Sequence, residues 1–456
     1  MARRLREVEG EIFARRPEHA IEPTLDRISA LATLLGDPQR AYPVIHITGT
    51  NGKTSTARMI ETLLRTRGLR TGLFTSPHLS SVRERIVVDG EPLPAEAFLA
   101  SYDEVAPYVA LVDESQPLRL SFFEVLTAMA FAAFADAPVD VAVIEVGLGG
   151  TWDSTNIADG AVAVVTPVAV DHTRYLGTTI EEIAGEKAGI IKPGAVAILG
   201  QQPLAAAEVL LRRVAEVGAT VAREGIEFGV ISRELAVGGQ VLGLRGLAGE
   251  YHDLLLPLFG EYQASNAACA LAAVEAFASG GPGGEPLGED LVREAFATMT
   301  SPGRLEVVRR SPVVIADSAH NPAGMASSLA AVTEAFSFQT LVVVLAISED
   351  KDVPAVLDQL EPAADALVVT RNSSDRSMDP AKLADLAAEV FGPDRVRAAD
   401  RLDDGIDIAV GLADEAAAGG LGSSGVLVTG SVVTAGDARS LLRAGQGGPP
   451  GGADPE

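Results

Sequence analysis

Residues 49–54, GTNGKT, have the composition and spacing of a loop that binds phosphate. They follow the apolar run PVIHIT, and their last two residues begin KTSTARMIETLLRTRG, a segment with helical spacing. The N–H groups of a glycine-rich turn and the N-terminus of the following helix attract an anion, and Lys53 adds a positive charge. Thr54 places a hydroxyl where the Mg²⁺ of a bound nucleotide would lie. Ile47 stands where the usual P-loop has its first glycine, and the alternative interpretation is an ordinary Gly/Asn turn before a capped helix. The loop predicts a site for a nucleoside triphosphate.

A carboxylate and an imidazole stand at the ends of the next two predicted strands. Glu145 ends the apolar run VDVAVIE, where a buried carboxylate is costly unless it is paired or bound to a metal. Asp171 and His172 follow the run AVAVVTPV. Because ligands bind at the carboxyl ends of parallel strands, we expect these side chains and the loop to share one crevice. They predict a Mg²⁺ site, although imidazole is an unusual ligand for this ion. A capping Asp and a hydrogen-bonded His are the structural alternative.

Four more polar side chains lie at the ends of predicted elements. Lys187 is on the last turn of the short helix TIEEIAGEKAG, where a cation suits the helix dipole. Arg304 offers a forked donor for phosphate oxygens. Asp317 and His320 follow the strand VVIA, where a carboxylate can accept hydrogen bonds from ribose hydroxyls. An unremarkable His-Asn-Pro turn is the alternative for that segment.

The elements around these residues predict an α/β fold. Short β-branched runs alternate with Ala/Leu-rich segments of helical spacing, which is typical of a doubly wound parallel sheet. SFFEVLTAMAFAAF has almost no polar face and predicts a buried helix, whereas Thr179 and Glu182 have capping-box spacing. A second βα series begins near residue 304. We therefore predict domains at 1–300 and 301–445, with a disordered tail at 446–456 that has no apolar content to bury.

Composition narrows the range of partners. The 456 residues carry a formal net charge of −26, which argues against nucleic acid or an anionic membrane as partner. Cys269 is the only cysteine, so a disulfide framework is impossible. The basic N-terminus has no apolar core like that of a signal peptide, and the longest apolar run is too short to span a bilayer. We expect a soluble, cytoplasmic protein.

Together these motifs resemble one family, the folylpolyglutamate synthase/dihydrofolate synthase branch of the Mur ligase superfamily. The matching stretches run in the family's order from about residue 20 to 435: HITGTNGKTS, LFTSPHLSSVRERI, FFEVLTAMAF, VIEVGLGGTWDSTNI, VDHTRYLG, GEKAGIIKPG, LPLFGEYQASNAA, PGRLE, DSAHNP and LVTGS. TSPHL with ERI is typical of the folate branch and not of the cell-wall branch.

The resemblance implies an ATP-dependent amide ligase. ATP would phosphorylate a carboxylate of the folate substrate, and the amine of L-glutamate would then displace phosphate from the acyl phosphate. A bifunctional enzyme that accepts tetrahydrofolates and dihydropteroate is expected. The family has an N-terminal P-loop domain and a smaller Rossmann-like C-terminal domain, with the active site in the interdomain cleft. We also expect a monomer.

The resemblance assigns roles to the residues that match the family's motifs. Catalysis would use Lys53, Glu145, His172 and Lys187. ATP binding would use Gly49, Thr50, Asn51, Gly52, Lys53, Thr54, Ser55, Asn266, Arg304, Asp317 and His320. Two Mg²⁺ sites would draw on Thr54, Ser76, Glu145, His172 and Lys187, of which Lys187 matches the lysine that is carbamylated in this superfamily. The folate site would be bordered by Pro77, His78, Arg83, Arg85, Asp153 and Asn156.

Four positions depart from the family's pattern. Thr54 stands where many members have glycine, so either Thr54 or Ser76 could hold the first Mg²⁺. The other three departures are Tyr262 for histidine, Ser318 for glycine and Thr151 for arginine. They affect individual contacts but not the expected reaction.

Two other functions fit part of the pattern. A Mur-type ligase acting on a cell-wall precursor shares the chemistry, but only about 40 residues precede the loop, too few for its nucleotide-precursor domain. A P-loop regulator that only binds nucleotide would have no use for Glu145, His172 and Lys187 together.

Overall fold

The computed structural model describes residues 1–444 apart from 18, 19, 21, 282 and 421. The described chain forms two compact units, one of Met1–Pro257 with Tyr262–Met299 and one of Leu258–Glu261 with the residues from Thr300 onward. The segment Leu258–Glu261 therefore groups with the second unit, although the sequence analysis placed it in the first domain. The tail predicted at 446–456 lies outside the described residues. None of the described helices has the length and apolar character needed to cross a membrane.

The first unit is an α/β domain. Its helices are α1 (Ala2–Phe13), α2 (Asp26–Leu34), α3 (Lys53–Thr66), α4 (Ala95–Ser115), α5 (Phe122–Asp136), α6 (Thr173–Leu176), α7 (Ile180–Ala188), α8 (Leu204–Val217), α9 (Glu261–Ser279) and α10 (Glu289–Ala297). Its strands are β1 (Val44–Thr48), β2 (Thr71–Phe74), β3 (Ile86–Val88), β4 (Glu91–Pro92), β5 (Val141–Glu145), β6 (Gly160–Val165), β7 (Val196–Leu199), β8 (Thr220–Arg223), β9 (Gly229–Ala236), β10 (Gly239–Arg245) and β11 (Glu250–Leu256).

Strand β1 lies in the middle of the main sheet. Among the described residues the order is β4-β3-β2-β5-β1-β6-β7-β8, and β1 pairs in parallel with both β5 and β6. Ile47 is level with Glu145, and Thr48 is level with Val165. All residues of β1 and β5 are buried, as expected for parallel strands covered on both faces. The segments that follow these three strands consequently leave the sheet at the same edge.

Two helix signals predicted from the sequence are confirmed. Helix α7 begins with a capping box between Thr179 and Glu182 and ends at its cap residue Gly189. Helix α5 is buried almost along its whole length, as its missing polar face predicts. It also begins with a capping box, between Ser121 and Glu124, which the sequence analysis did not identify. Its aromatic side chains form much of the core between the sheet, α2 and α4.

The second unit repeats the βα pattern. Its strands are β12 (Glu306–Arg310), β13 (Val313–Ala316), β14 (Thr340–Leu345), β15 (Ala366–Val369), β16 (Val396–Ala398) and β17 (Ser424–Thr429), and its helices are α11 (Pro322–Phe336), α12 (Val353–Leu360), α13 (Pro380–Phe391), α14 (Leu402–Ala418) and α15 (Val432–Ala444). In the described chain these strands have the order β12-β13-β17-β14-β15-β16, and only β12 is antiparallel to its neighbour. The predicted α/β class is confirmed, and both large sheets contain parallel strands. Strands β3 and β4 add antiparallel pairs to the main sheet, and β9–β11 form a separate antiparallel sheet.

A buried histidine makes the first unit sensitive to acid. His46, in the middle of β1, is fully buried, and its Nε2 lies 2.9 Å from the Thr155 hydroxyl. That hydroxyl donates to Asp153, so Nε2 must be the protonated nitrogen of a neutral ring. Nδ1 has no hydrogen-bond partner among the described residues. Burial, followed by the charge of Lys192, lowers the pKa of His46 to about 3.

We predict that His46→Gln makes the stability of the first unit less dependent on pH. Because the unfolded chain protonates His46 below its ordinary pKa of 6.5 and the folded chain only near 3, this residue costs stability as the pH falls through that window. The cost should reach about 2 kcal/mol at pH 5. Urea unfolding followed by the fluorescence of Trp152, the only tryptophan, should show the variant losing less stability between pH 7.5 and pH 5 than the parent. Equal losses would contradict this assignment.

Candidate active site

The glycine-rich loop leaves β1 in a conformation that requires its glycines. Gly49 has φ 147°, and a Cβ there would collide with the hydroxyl of Thr166. Gly52 has φ 88°, is the N-cap of α3 and lies against the side-chain oxygen of Asn266. Side chains are disfavoured at both positions, because the backbone of the loop packs closely against Thr166 and Asn266.

Two lysines contact the loop. Lys53 Nζ lies 3.1 Å from the carbonyl oxygen of Gly49 and 3.3 Å from that of Thr50. Lys187 Nζ donates to the same Gly49 oxygen at 2.8 Å, and its side chain is buried, with the residue only 3% exposed. Burial and the charge of Lys53 together lower the pKa of Lys187 to about 7. Lys187 is therefore part of the loop's surroundings, and the interpretation of it as a cation serving the helix dipole does not account for this contact.

Thr54, Ser76 and Glu145 meet at the start of α3. The Thr54 hydroxyl lies 2.9 and 3.0 Å from the two carboxylate oxygens of Glu145, and the backbone N–H of Ser76 donates to the same carboxylate at 3.2 Å. Glu145 is only 1% exposed, so these donors offset part of the cost of burying its charge. Pro77 follows Ser76 through a cis peptide bond.

His172 lies after β6 in a strained backbone conformation. Its φ is 52°, in the left-handed region that is uncommon outside glycine. The carboxylate of Asp171 accepts the His172 backbone N–H at 2.8 Å and lies 3.8 Å from Nε2 of its ring. The negative charge of Asp171 also acts on Lys187, since it raises the pKa of that lysine. Asp171 therefore links the histidine to the surroundings of the loop.

The side-chain oxygens near the loop are suitable ligands for Mg²⁺. Within the described residues, no three His, Cys, Asp or Glu side chains are grouped closely enough to hold a metal by themselves. Mg²⁺, however, is usually bound through one or two carboxylates, with water and substrate phosphates completing the shell. Glu145 with the hydroxyl of Thr54 supplies such an incomplete set of oxygens beside a phosphate loop. The residues present therefore fit this ion together with a nucleotide.

Helix α9 supports the loop from the other side. The Asn266 side chain donates to Gln263 at 3.0 Å, and Gln263 donates to the Ser55 hydroxyl at 3.4 Å. Both residues are almost fully buried. Asn266 and Ser55 are among the residues predicted from the sequence, whereas Gln263 is not, because its only signal is a polar side chain on the Ala-rich, buried helix α9.

The predicted folate residues on the β2–β3 connection form an aromatic and cationic cluster. Arg85 Nε donates to His78 Nδ1 at 2.9 Å, and its guanidinium lies 4.9 Å from the ring centre of Phe122. Phe13 stacks on Phe122 with a centroid distance of 5.3 Å and remains 52% exposed. Arg85 is only 2% exposed. Its hydrogen bond to His78 therefore fixes the orientation of the histidine ring. Arg83 donates to the carbonyl oxygen of Leu93 at 3.0 Å.

Asp153 and Asn156 organise the connection after β5. One carboxylate oxygen of Asp153 accepts the N–H of Leu148 at 2.9 Å, and the other accepts the hydroxyl of Thr155 at 2.6 Å. Asn156 donates to the carbonyl oxygen of Thr151 at 3.0 Å. Burial raises the pKa of Asp153. Asn156 also donates to the carbonyl oxygen of Gly189 at 3.3 Å, at the end of α7. These contacts position the connection, and the expected contact of both residues with folate stays a prediction.

In the second unit, Asp317 lies beside the turn that carries Arg304. Its buried carboxylate accepts the Leu305 N–H at 3.0 Å and the Ser328 hydroxyl at 2.7 Å, so internal donors occupy both oxygens. The Ser318 hydroxyl donates to the Gly303 carbonyl oxygen at 2.7 Å. Asp317 and Ser318 thereby hold the turn that carries Arg304, and the expected hydrogen bonds from ribose hydroxyls to Asp317 stay a prediction.

His320 lies beside this turn and is partly buried. Its Nδ1 is 2.9 Å from the carbonyl oxygen of Ser318. Asn321 follows it and caps α11 through a hydrogen bond from the N–H of Gly324. The His-Asn-Pro segment is thus a helix start at the carboxyl end of β13, with an imidazole beside it.

Comparison with known proteins decides the family. The chain is 52% identical to the dihydrofolate synthase/folylpolyglutamate synthase of Mycobacterium tuberculosis, over 96% of this chain and 94% of that protein. The chain belongs to the dihydrofolate synthase/folylpolyglutamate synthase family. Residues 47–274 match the Mur ligase middle domain, and residues 303–432 match the domain described as Mur ligase, glutamate ligase domain. As a member of this family, the protein is an ATP-dependent ligase.

Solved structures agree with this placement. The structure of Mycobacterium tuberculosis folylpolyglutamate synthase complexed with ADP and AMPPCP superposes with a TM-score of 0.92 and 52% identity, covering 99% of both chains. Escherichia coli FolC in complex with DHPP and ADP gives a TM-score of 0.81 and 30% identity, over 97% of this chain and 98% of that one. Neither a cell-wall ligase nor a non-catalytic regulator is favoured by these matches.

We predict that Thr54→Val weakens nucleotide binding and lowers the melting temperature. Loss of the hydroxyl leaves the buried Glu145 carboxylate with fewer donors, which costs about 1–3 kcal/mol. Thr54→Ser keeps a hydroxyl and serves as the matched control. Calorimetric titration with ADP and Mg²⁺ should show a Kd about tenfold higher for the valine variant. A valine variant with the Kd and Tm of the serine variant would contradict the role given to this hydroxyl.

Proposed function

We propose that this protein adds L-glutamate to reduced folates and to dihydropteroate through an acyl phosphate. A carboxylate of the pteroate or folate takes the γ-phosphoryl group of ATP, and ADP leaves. The α-amine of glutamate attacks the activated carbonyl carbon, and inorganic phosphate leaves as the amide forms. The observation that carries this proposal is the loop after β1, where the N-terminus of α3, two lysines and the Thr54–Glu145 pair are gathered at one sheet edge.

The residues of the loop would align the phosphates. The N-terminus of α3 would attract the phosphate oxygens, and Lys53, whose Nζ lies beside the carbonyl oxygens of the loop, would add a positive charge. Thr54, Ser76, Glu145 and His172 would hold Mg²⁺, which supplies positive charge against the developing charge of the transferred phosphoryl group. Holding these charges in a fixed arrangement lowers the barrier because little reorganisation remains.

The relatives support the choice of acceptors. The Mycobacterium tuberculosis protein is named as both dihydrofolate synthase and folylpolyglutamate synthase, and the Escherichia coli structure is described with DHPP and ADP. In this chain the exposed Phe13, stacked on Phe122 beside His78, offers an aromatic surface near the predicted folate border. We propose a monomer as the working unit, which its mass by light scattering would check.

We expect ADP release to depend on both L-glutamate and a pteroate or folate. A coupled assay for ADP, run side by side with dihydropteroate and tetrahydrofolate, should give turnover with each acceptor and only background when glutamate is omitted. ADP release that ignored both substrates would overturn the proposed function. Turnover with one acceptor alone would overturn the bifunctional part and leave the ligase assignment in place.

We further propose that Lys187 acts as its carbamate. The match to the carbamylated lysine of the superfamily carries this proposal, and the site supports it, since burial favours a neutral amine. The neutral Nζ would add to the carbon of CO₂ and lose a proton, forming an anionic group that could serve as an oxygen ligand. The contact with the Gly49 carbonyl shows the alternative, a lysine that steadies the loop as a cation.

Lys187→Ala is expected to abolish glutamate addition, and the two roles of Lys187 predict different responses to added carboxylates. If Lys187 acts as a carbamate, a short carboxylate or bicarbonate should restore part of the turnover of Lys187→Ala, because an anion can fill the vacated space. A lysine needed as a cation should show no such rescue. Lys382→Ala, on the exposed surface of α13, is the control that should leave turnover unchanged.

Glu145→Ala is also expected to abolish turnover, because it removes the carboxylate that Thr54 and Ser76 surround. The steady-state rate with saturating ATP, glutamate and tetrahydrofolate is the measurement. Near-normal turnover of Glu145→Ala, with intact folding by circular dichroism, would remove this residue from the catalytic set.

A further inference from the structure

A glutamine outside the predicted site uses every polar atom of its side chain on one short segment. Gln202 follows β7 and the turn at Gly200, and its Nε2 donates to the carbonyl oxygens of Val165 and Thr166 at 3.2 and 3.1 Å. Its Oε1 accepts the N–H of Val168 at 3.0 Å. The Gln202 side chain thus pairs with both carbonyl oxygens and an N–H group of the backbone at and after the end of β6.

The segment that Gln202 holds, residues 166–169, is the one that supports the phosphate loop. The Thr166 hydroxyl donates to the carbonyl oxygen of Asn51 at 2.7 Å. The N–H of Thr50 donates to the carbonyl oxygen of Pro167 at 3.0 Å. The Thr50 hydroxyl donates to the carbonyl oxygen of Ala169 at 2.9 Å and accepts the N–H of Ala169 at 3.0 Å.

Residues 166–169 and the phosphate loop are packed tightly against each other. Gly49 runs so close to Thr166 that even a Cβ would collide with its hydroxyl. A shift of residues 166–169 must therefore move the loop or break its hydrogen bonds. The chain continues from this segment to Asp171 and His172. The position of the segment therefore also affects the position of the His172 side chain.

We propose that Gln202 is a positioning residue for nucleotide binding, acting on the loop through residues 166–169. This inference rests on the proposed role of the loop as the phosphate cradle. Gln202 supplies two N–H donors and one acceptor at fixed spacing. Among side chains of its size, glutamate keeps the acceptor but loses both donors, and methionine loses all three contacts.

The neighbouring residue provides a matched control. Gln201 precedes Gln202 and is exposed, and its side chain makes no hydrogen bond among the described residues. The substitution Gln201→Met therefore changes the same chemistry one position away without touching residues 166–169. Both methionine variants should be compared with the parent enzyme as full-length protein.

Titration with ADP and Mg²⁺ is the first test. Gln202→Met and Gln202→Glu should raise the Kd for ADP about tenfold, while Gln201→Met stays within about twofold of the parent. In steady-state assays the KM for ATP should rise, and the KM values for glutamate and tetrahydrofolate should not. If Gln202→Met does not fold, Gln202→Glu carries the test, because it keeps the hydrogen bond from Val168.

A double-mutant cycle tests the route. Thr166→Val removes the hydroxyl that reaches Asn51 and keeps the side-chain shape. If Gln202 acts through this segment, the Gln202→Met/Thr166→Val enzyme should bind ADP about as weakly as the weaker single variant. Losses that multiply, or equal rises in KM for all three substrates, would overturn the proposal.

Lys53→Ala separates this proposal from the one on which it rests. A loss of ADP affinity in Lys53→Ala, together with parent-like affinity in Gln202→Met, would overturn the role of Gln202 and leave the phosphate cradle standing. Unchanged affinity in Lys53→Ala would overturn the cradle itself, and the role of Gln202 with it.

Discussion

The parallel pairing of β1 with β5 on one side and β6 on the other is the constraint on which the site depends. Thr48 ends β1 level with Val165 of β6, and Ile47 is level with Glu145 of β5. A shift of one residue in either pairing would turn a buried side chain to the opposite face of the sheet. With this register, the phosphate loop, the Glu145 carboxylate and the segment after β6 leave the sheet together. The contacts of Thr54 with Glu145 and of Thr50 with Ala169 follow from that meeting.

Positive charge is concentrated at this edge of the sheet, although the chain as a whole is acidic. The protein carries a formal net charge of −26, yet Lys53 and Lys187 both place their ammonium groups on the carbonyl oxygen of Gly49. Two like charges in a poorly hydrated place repel each other, which together with burial explains the low pKa of Lys187. The negative charge of a polyphosphate would relieve this repulsion. Mg²⁺ would offset the buried negative charge of Glu145. The charges at this edge thus match the two proposed ligands, a polyphosphate and Mg²⁺.

The fold and the centre of the site were predictable because they depend on local patterns. The alternation of β-branched strands with helices, the capping box of α7 and the loop before α3 are properties of neighbouring residues. Residues whose roles depend on distant partners were predicted less well. Gln202 gave no signal that separated it from a surface glutamine, and the signal of Gln263 was only a polar side chain on a buried, Ala-rich helix. The contacts of the Asp317 carboxylate with Leu305 and Ser328 were also not predicted.

The sequence by itself determined the class of fold, the phosphate loop and, through the resemblance of its motifs, the family and its reaction. Those features are written in residue type and short spacing, and they need no knowledge of long-range contacts. Only the tertiary structure decided which side chains meet: that Lys187 reaches Gly49 from a helix far along the chain, that Arg85 is buried against His78, and that Gln202 secures the segment behind the loop. Such contacts depend on strand order and register, because residues far apart in the chain become neighbours only when the sheet is assembled.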